Sequence, residues 1–372
     1  MQLTPFKLER YFAQYEFSAK YLLSSSDCDG LLQKDLVTLA DNEMKRIWEQ
    51  LTLGYTESLG NPLLRKEVAQ LYSNVRSDEV LIVTPEEGIF IALNSILNKG
   101  DHVICTFPGY QSLYELGEGL GCEVTRWKPE EENGWRFNPD FLEQQVKPNT
   151  KLIIINFPHN PTGNLPSKED YQKIIDVAKK NNIYLFSDEM YRFLEHDPID
   201  RLPSACDLYN KAISLFGMSK TFGMAGARIG WLVTKNKDIY AKMATFKDYT
   251  TICSSAPSEV LSIIALRAKE KIIGTHVARI KRNLALFDSF FEKYSTMFEW
   301  VKPTAGTIGF PKLQGELTAL DFCQKVVKEA NIMLLPSTVY DYDDKHFRIG
   351  FGRENMPEAL GALESYLDNS FS

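Results

Sequence analysis

The chain has 372 residues, and its 42 Lys and Arg against 49 Asp and Glu leave a formal net charge of −7. Hydrophobic residues make up 44% and charged residues 24%, which excludes a disordered or collagen-like chain, and the length favours two domains over one core. The acidic balance argues against a nucleic-acid binder, which needs a basic field, but leaves room for a local positive pocket that holds small anions.

In chain order, the first segment carries no apolar block suited to a secretion signal, and no later stretch is long enough to span a bilayer. Neither membrane nor nucleic acid is an expected partner. Strand-like runs then alternate with helical patterns. Val80–Val83 precedes a helix over Gly88–Leu97. His102–Thr106 precedes one over Gln111–Gly119, and Glu123–Trp127 is a strand again. After the strand Leu152–Asn156, Ser167 caps a helix in which Tyr171, Ile174, Ile175 and Ala178 form one apolar stripe. Strands at Ile183–Phe186, Ala212–Phe216 and Gly230–Thr234 complete a mostly parallel sheet covered by helices, an α/β domain.

Beyond Pro257 the texture changes. Val277, Ile280, Leu284, Phe287 and Phe291 mark a long helix. Short strands follow at Phe298–Val301 and Thr307–Pro311, then a helix near Leu317–Ala330, strands at Ile332–Leu335 and Phe347–Phe351, and a last helix near Pro357–Leu367. This reads as a smaller α+β domain. The expected division is a large domain over 46–270 and a small one made of 1–45 and 271–372. The six cysteines form no CxxC pair and read as reduced thiols of a cytoplasmic protein. No histidine stands at ligand spacing from a cysteine pair or another histidine, so no metal site is expected.

Sites in open parallel sheets lie beyond the carboxyl ends of strands. There the chain places Asn160-Pro161-Thr162-Gly163, Asp188-x-x-Tyr191 and Ser219-Lys220-(x7)-Arg228-x-Gly230. Taken singly these are a turn, a cap or a surface charge; their order and spacing carry the signal. That order resembles the fold-type I pyridoxal-phosphate enzymes, specifically the class I/II aminotransferases. Gly54-Tyr55-Thr56, Pro108-Gly109-Tyr110 and Phe347-Arg348-Ile349 also match at family-like positions.

The resemblance implies an aminotransferase of amino acid metabolism. It would move an amino group between an L-amino acid and a 2-oxo acid in two half-reactions. Lys220 would form the imine with pyridoxal 5'-phosphate and shuttle the α-carbon proton. Asp188 would hold the pyridine nitrogen protonated. Asn160 and Tyr191 would donate to the phenolic oxygen, and Tyr110 would stack on the ring. Arg228 and the hydroxyls of Ser219 and Thr84 would meet the phosphate. Arg348 would grip the substrate α-carboxylate as a fork, with Asn160 beside it. Ser25 or Ser26 would contribute a hydroxyl or N–H near the substrate, or belong to a plain loop. Tyr55 has two readings: a packed aromatic, or a residue reaching the cofactor phosphate of a second subunit, which implies a homodimer with shared sites.

The chain departs from the family at two places. Thr84-Pro85 stands where a Gly-Ala or Gly-Ser pair is usual, and Gly217 stands where a phosphate-binding Ser or Thr is usual. Glu86 stands close to the expected phosphate; with Glu87 it reads as a first-turn acid facing solvent, favourable at a helix N-terminus. His159 reads as strand-end packing and Arg353 as a surface residue. A lyase or cyclase using the same cofactor is the alternative reaction, and a non-catalytic module of the same fold is a remote one. A nicotinamide dehydrogenase lacks its glycine motif.

Overall fold

The computed structural model describes residues 1–370. Seven strands build the central sheet: β1 (Val80–Val83), β2 (His102–Thr106), β3 (Glu123–Trp127), β4 (Thr150–Asn156), β5 (Tyr184–Asp188), β6 (Ala212–Gly217) and β7 (Gly230–Val233). They pair in the order β1-β7-β6-β5-β4-β2-β3. Only β7 opposes its neighbours; β6, β5, β4, β2 and β3 pair in parallel. All seven lie where the sequence places them; six are largely buried on both faces and so mostly apolar, while the edge strand β3 is part-exposed.

Period-two alternation divides each strand between two cores. In β1, Leu81 and Val83 pack with Ile89, Leu93 and Leu113, whereas Val80 and Ile82 pack with Leu64, Val68 and Ile263. The latter cluster also buries Leu36, Ala40 and Met44. Along the opposite half of the sheet, Ile153, Ile155 and Leu185 meet Ile174 and Ile175 of the helix Lys168–Lys180.

The helix expected from Gly88 begins at Pro85 and runs to Ile96. Proline suits that first turn, where its missing N–H would have no intrahelical partner. Glu87 reaches back to accept from the Thr84 N–H at 3.2 Å, which satisfies one of the free donors at the helix start.

The C-terminal part is organised by the helix Lys269–Lys293. Its predicted stripe is real: Ile280, Leu284, Phe287 and Phe291 are buried against Phe322, Val326, Ile349 and Leu363. Here the short strands differ most from expectation. Ile308–Gly309, Leu335–Pro336 and Phe347–Gly350 form a three-stranded antiparallel sheet, while Phe298–Glu299 pairs with Lys312–Leu313. Ile332 instead makes a single bridge to Tyr21, so the N-terminal segment occupies the place where a longer strand would pair. The segment after α1 (Lys7–Tyr15) is thereby held on this unit.

Asn283, fully buried on the long helix, donates to the Phe351 carbonyl at 2.9 Å and the Arg353 carbonyl at 2.8 Å. These bonds anchor the turn that follows the strand Phe347–Gly350. Asn283→Ala leaves two buried carbonyls without this donor and is expected to lower unfolding free energy by about 1–3 kcal/mol, measured by denaturant titration.

Candidate active site

The functional side chains converge for a topological reason. Asn156, Asp188 and Gly217 end β4, β5 and β6, and register sets Asn156 opposite Asp188. Because β7 runs the other way, its first residue lies at this same carboxyl edge, and Gly217 pairs with Gly230. Arg228, just before β7, is therefore brought beside Ser219 and Lys220, just after β6. Alternation sends Asp188 toward the edge cavity and Glu189 away from it. Glu189 accepts instead from the hydroxyls of Ser204 and Ser214 at 2.9 Å each.

The cavity measures about 390 Å³. Of the sequence-derived residues, Lys220, Asp188, Asn160, Tyr191, Tyr110, Arg228, Ser219, Glu86, Arg348, Ser25 and Ser26 all line it. Lys220 Nζ donates to the Ser26 hydroxyl at 2.9 Å. Burial lowers the lysine's pKa; Asp27 and Glu9 oppose that shift, while Arg348 and Arg228 add to it. Asp188 is 5% exposed, accepts from the Met190 N–H at 3.1 Å, and is pushed up to about 7, chiefly by burial. The Tyr191 hydroxyl is buried without a hydrogen-bond partner.

Arg348 is 1% exposed. Its Nε donates to the Ser24 carbonyl at 3.0 Å, and its Nη1 to the Tyr340 hydroxyl at 2.6 Å and to Asn160 Oδ1 at 3.4 Å. Among the described residues no carboxylate pairs with it. A buried guanidinium held only by neutral acceptors is poised to take an anion.

At the other end, Arg228 has a left-handed backbone, φ 55°, and donates to the Ala225 carbonyl at 3.0 Å. Thr84 does not line the cavity. Its hydroxyl donates to the Arg228 carbonyl at 3.1 Å, so it fixes the arginine's backbone. Ser219 is 6% exposed and lines the cavity between them. The two departures in this region explain each other. A Cβ on Gly217 would stand 2.9 Å from the Gly230 Cα and 3.2 Å from Pro85 Cγ, and one on Gly230 would meet Pro85 Cγ at 2.8 Å. Proline over the strand pair thus requires glycine beneath it.

Several placements differ from the sequence reading. Glu86 does not face solvent. It accepts from the Ser112 hydroxyl, its other oxygen is buried without a partner, and burial raises its pKa. Glu87 turns toward Thr251, whose hydroxyl donates to it at 2.7 Å. Tyr55 is 93% exposed, so it is not a packed aromatic of this chain. His159 is buried, with its nitrogens at 2.7 Å from the Thr162 hydroxyl and the Pro108 carbonyl, and burial lowers its pKa to about 3. It is a packed neutral histidine, as read.

Arg353 is not a plain surface residue: it lines the cavity and donates to the Asp27 carboxylate at 3.1 and 3.3 Å. Sequence reasoning also missed Leu8, Glu9 and Phe12 of α1 and Glu16 just after it, all of which line the cavity. The spacing of Leu8 and Phe12, four apart, signals a helix face but not where that face docks.

These groups fit pyridoxal phosphate in chemistry. A buried carboxylate without an ion-pair partner suits a protonated ring nitrogen, an orphaned phenol suits an anionic oxygen, and Arg228 with Ser219 suits a phosphate. The model for aminotransferase class I and II matches residues 18–363. Aspartate aminotransferase of Sulfurisphaera tokodaii is 29% identical, with 91% of this chain and 89% of that one covered. Capreomycidine synthase of Streptomyces vinaceus is 25% identical, with 97% and 93% covered. The crystal structure of a PLP-dependent aminotransferase from Streptococcus suis matches with a TM-score of 0.93 at 28% identity over 100% of both chains. The chain belongs to the aminotransferase class I and II family. It is a fold-type I, pyridoxal-phosphate-dependent aminotransferase.

Two outcomes are expected here. Asp188 holds its proton more tightly folded than unfolded, so the cofactor-free chain loses stability as pH rises from 3.8 through about 7. Glu259, raised to about 7 by burial, acts in the same direction. Asp188→Asn should flatten the Tm-against-pH curve over that interval and leave the share of Glu259. Gly217→Ser, which would restore the family's hydroxyl, should instead destabilise the chain by about 1–3 kcal/mol in denaturant melts, because its Cβ meets backbone.

Proposed function

We propose that Lys220, Asp188, Asn160, Tyr191, Arg228 and Arg348 perform amino transfer between an L-amino acid and a 2-oxo acid in this cavity. One observation carries the assignment: the Lys220 amine shares a cavity with a buried, unpaired acid and a buried arginine that has no acid partner. Bound pyridoxal phosphate supplies an electron sink conjugated to the substrate's α-carbon.

The protein's own groups do the rest. Arg348 grips the α-carboxylate and so orients the α-carbon toward Lys220. Burial favours the neutral amine of Lys220, which would take the proton from that carbon as a base and give it back as an acid. Ser26, already bonded to Nζ, aims the amine. Asp188 holds a positive ring nitrogen, which reverses the penalty that burial imposes on its own charge. Tyr191 and Asn160 donate to an anionic phenolic oxygen, and Tyr110 bounds the ring. Arg228, the Ser219 hydroxyl and the first free N–H groups of the helix Pro85–Ile96 hold the phosphate, while Pro85 contributes no donor.

The proposal extends to assembly and place. We propose a large unit over 46–270 and a smaller one made of 1–45 and 271–372, with the packing of Leu36, Ala40 and Met44 beside Val80 and Ile82 tying the first segment to the large sheet. A homodimer is supported by the exposed Leu53, Tyr55 and Tyr249, on segments joined by the Thr56–Ser254 bond at 3.2 Å. A cytoplasmic location is supported by six free thiols. Among the described residues no helix is long and apolar enough to cross a membrane. The synthase among the relatives supports, as a second reading, a reaction on the same cofactor other than amino transfer.

The test is the purified chain loaded with pyridoxal phosphate and offered a panel of L-amino acids. Its visible band should bleach, and amino transfer should require a 2-oxo acid. Lys220→Ala should lose at least about 100-fold in transfer rate. Normal transfer by that variant would refute the assignment; product formation without a 2-oxo acid would support the second reading.

A further inference from the structure

Behind the cavity wall lies Tyr340, the residue whose hydroxyl accepts from Arg348. Tyr340 is 1% exposed and does not line the cavity, yet its hydroxyl is the nearest partner of the Arg348 guanidinium and of the Asn160 side-chain amide. It accepts from Arg348 Nη1 at 2.6 Å and lies 3.2 Å from Asn160 Oδ1. Its position follows from the fold: Leu335 pairs with Arg348 across the small sheet, and the turn Ser337–Tyr340 follows directly.

Hydrogen-bond chemistry settles every direction in this triad. A guanidinium has donors and no acceptor. The Tyr340 oxygen must therefore accept from Arg348, and its own proton is free for Asn160. Asn160 receives donors from both sides, so its oxygen must face Tyr340 and Arg348. Its NH₂ group must then point the opposite way. The backbone N–H of Asn160 is separately held by Asn156 Oδ1 at 2.8 Å, which keeps the main chain in place while the amide is set.

We propose that Tyr340 is a positioning residue which fixes the amide orientation of Asn160 and the aim of Arg348 at once. The inference rests on the roles proposed above for those two residues. The hydroxyl disfavours the flipped amide, because that flip would take away the acceptor of the Tyr340 proton and set NH₂ against the Arg348 guanidinium, which cannot accept. It thus couples the grip on the substrate carboxylate to the donor that meets the cofactor's phenolic oxygen. The other charged or titratable groups lining the cavity are Lys220, Asp188, Tyr191, Tyr110, Arg228, Arg353, Asp27, Glu9, Glu16 and Glu86, and the test leaves them unchanged.

Tyr340→Phe removes only the hydroxyl and keeps the ring that packs edge-on to Phe310 at 6.1 Å. Two readouts apply to the cofactor-loaded chain. The pH midpoint of the bound cofactor's visible absorbance should rise by up to about one unit, since an anionic phenolic oxygen loses its ordered donor. KM for the amino acid should rise about 10-fold, because the guanidinium loses an acceptor that aims it. Asn160→Ala should raise the midpoint at least as far, and adding Tyr340→Phe to it should shift the midpoint no further. A midpoint unchanged in Tyr340→Phe but raised in Asn160→Ala would overturn this proposal alone. A midpoint unchanged in both would overturn it by removing the role given to Asn160. Additive shifts in the double variant would also overturn it.

Discussion

The pairing of β6 with β7 is the constraint on which the site depends. Gly217 lies opposite Gly230 with Pro85 packed over both, so the strand pair and the start of the helix Pro85–Ile96 come together at a point with no room for side chains. Since β7 is reversed relative to its neighbours, this close contact brings the end of one strand and the beginning of the next to one edge. Lys220 and Arg228, eight residues apart, are consequently held on the same side of the sheet as Asp188. Thr84, beside the proline, completes the arrangement through the Arg228 carbonyl.

Charge at this edge is arranged by what is left unpaired. Arg353 is balanced by Asp27, and Lys220 is bonded to a neutral hydroxyl. Arg348 and Arg228 are bonded to carbonyls and hydroxyls, and Asp188 to a backbone N–H. Burying charges without counter-ions is costly, and a ligand carrying a cationic nitrogen and two anionic ends offsets that cost. The cavity lining carries Lys220, Arg228, Arg348 and Arg353 beside Glu9, Glu16, Asp27, Glu86 and Asp188, so the pairing of these few side chains, and not the net charge of −7, decides what it holds.

Much of this was legible in the sequence. Six of the seven strands were visible because both of their faces are largely buried, which makes them mostly apolar, whereas the edge strand β3 is part-exposed and carries Glu123 and Arg126. The residues at their ends were legible because a parallel sheet presents its chemistry at one edge, so Asn160, Asp188, Lys220 and Arg228 could be grouped before any coordinates. The short strands of the C-terminal part were less legible. Two-residue pairings carry no periodicity, and the bridge from Tyr21 to Ile332 joins segments more than 300 residues apart. The orientation of Glu86 was also hidden, since a first-turn acid faces solvent or cavity according to what packs beside it, here Ser112.

By itself, the sequence determined most of the strand and helix pattern and the family, because these depend on local periodicity and on spacing along the chain. Only the tertiary structure decided the rest. It brought α1 to the cavity lining, paired Arg353 with Asp27, exposed Tyr55, and placed Tyr340 between Arg348 and Asn160. Those contacts join residues distant in the chain, and their energies come from burial and from the directions in which donors and acceptors meet, neither of which spacing records.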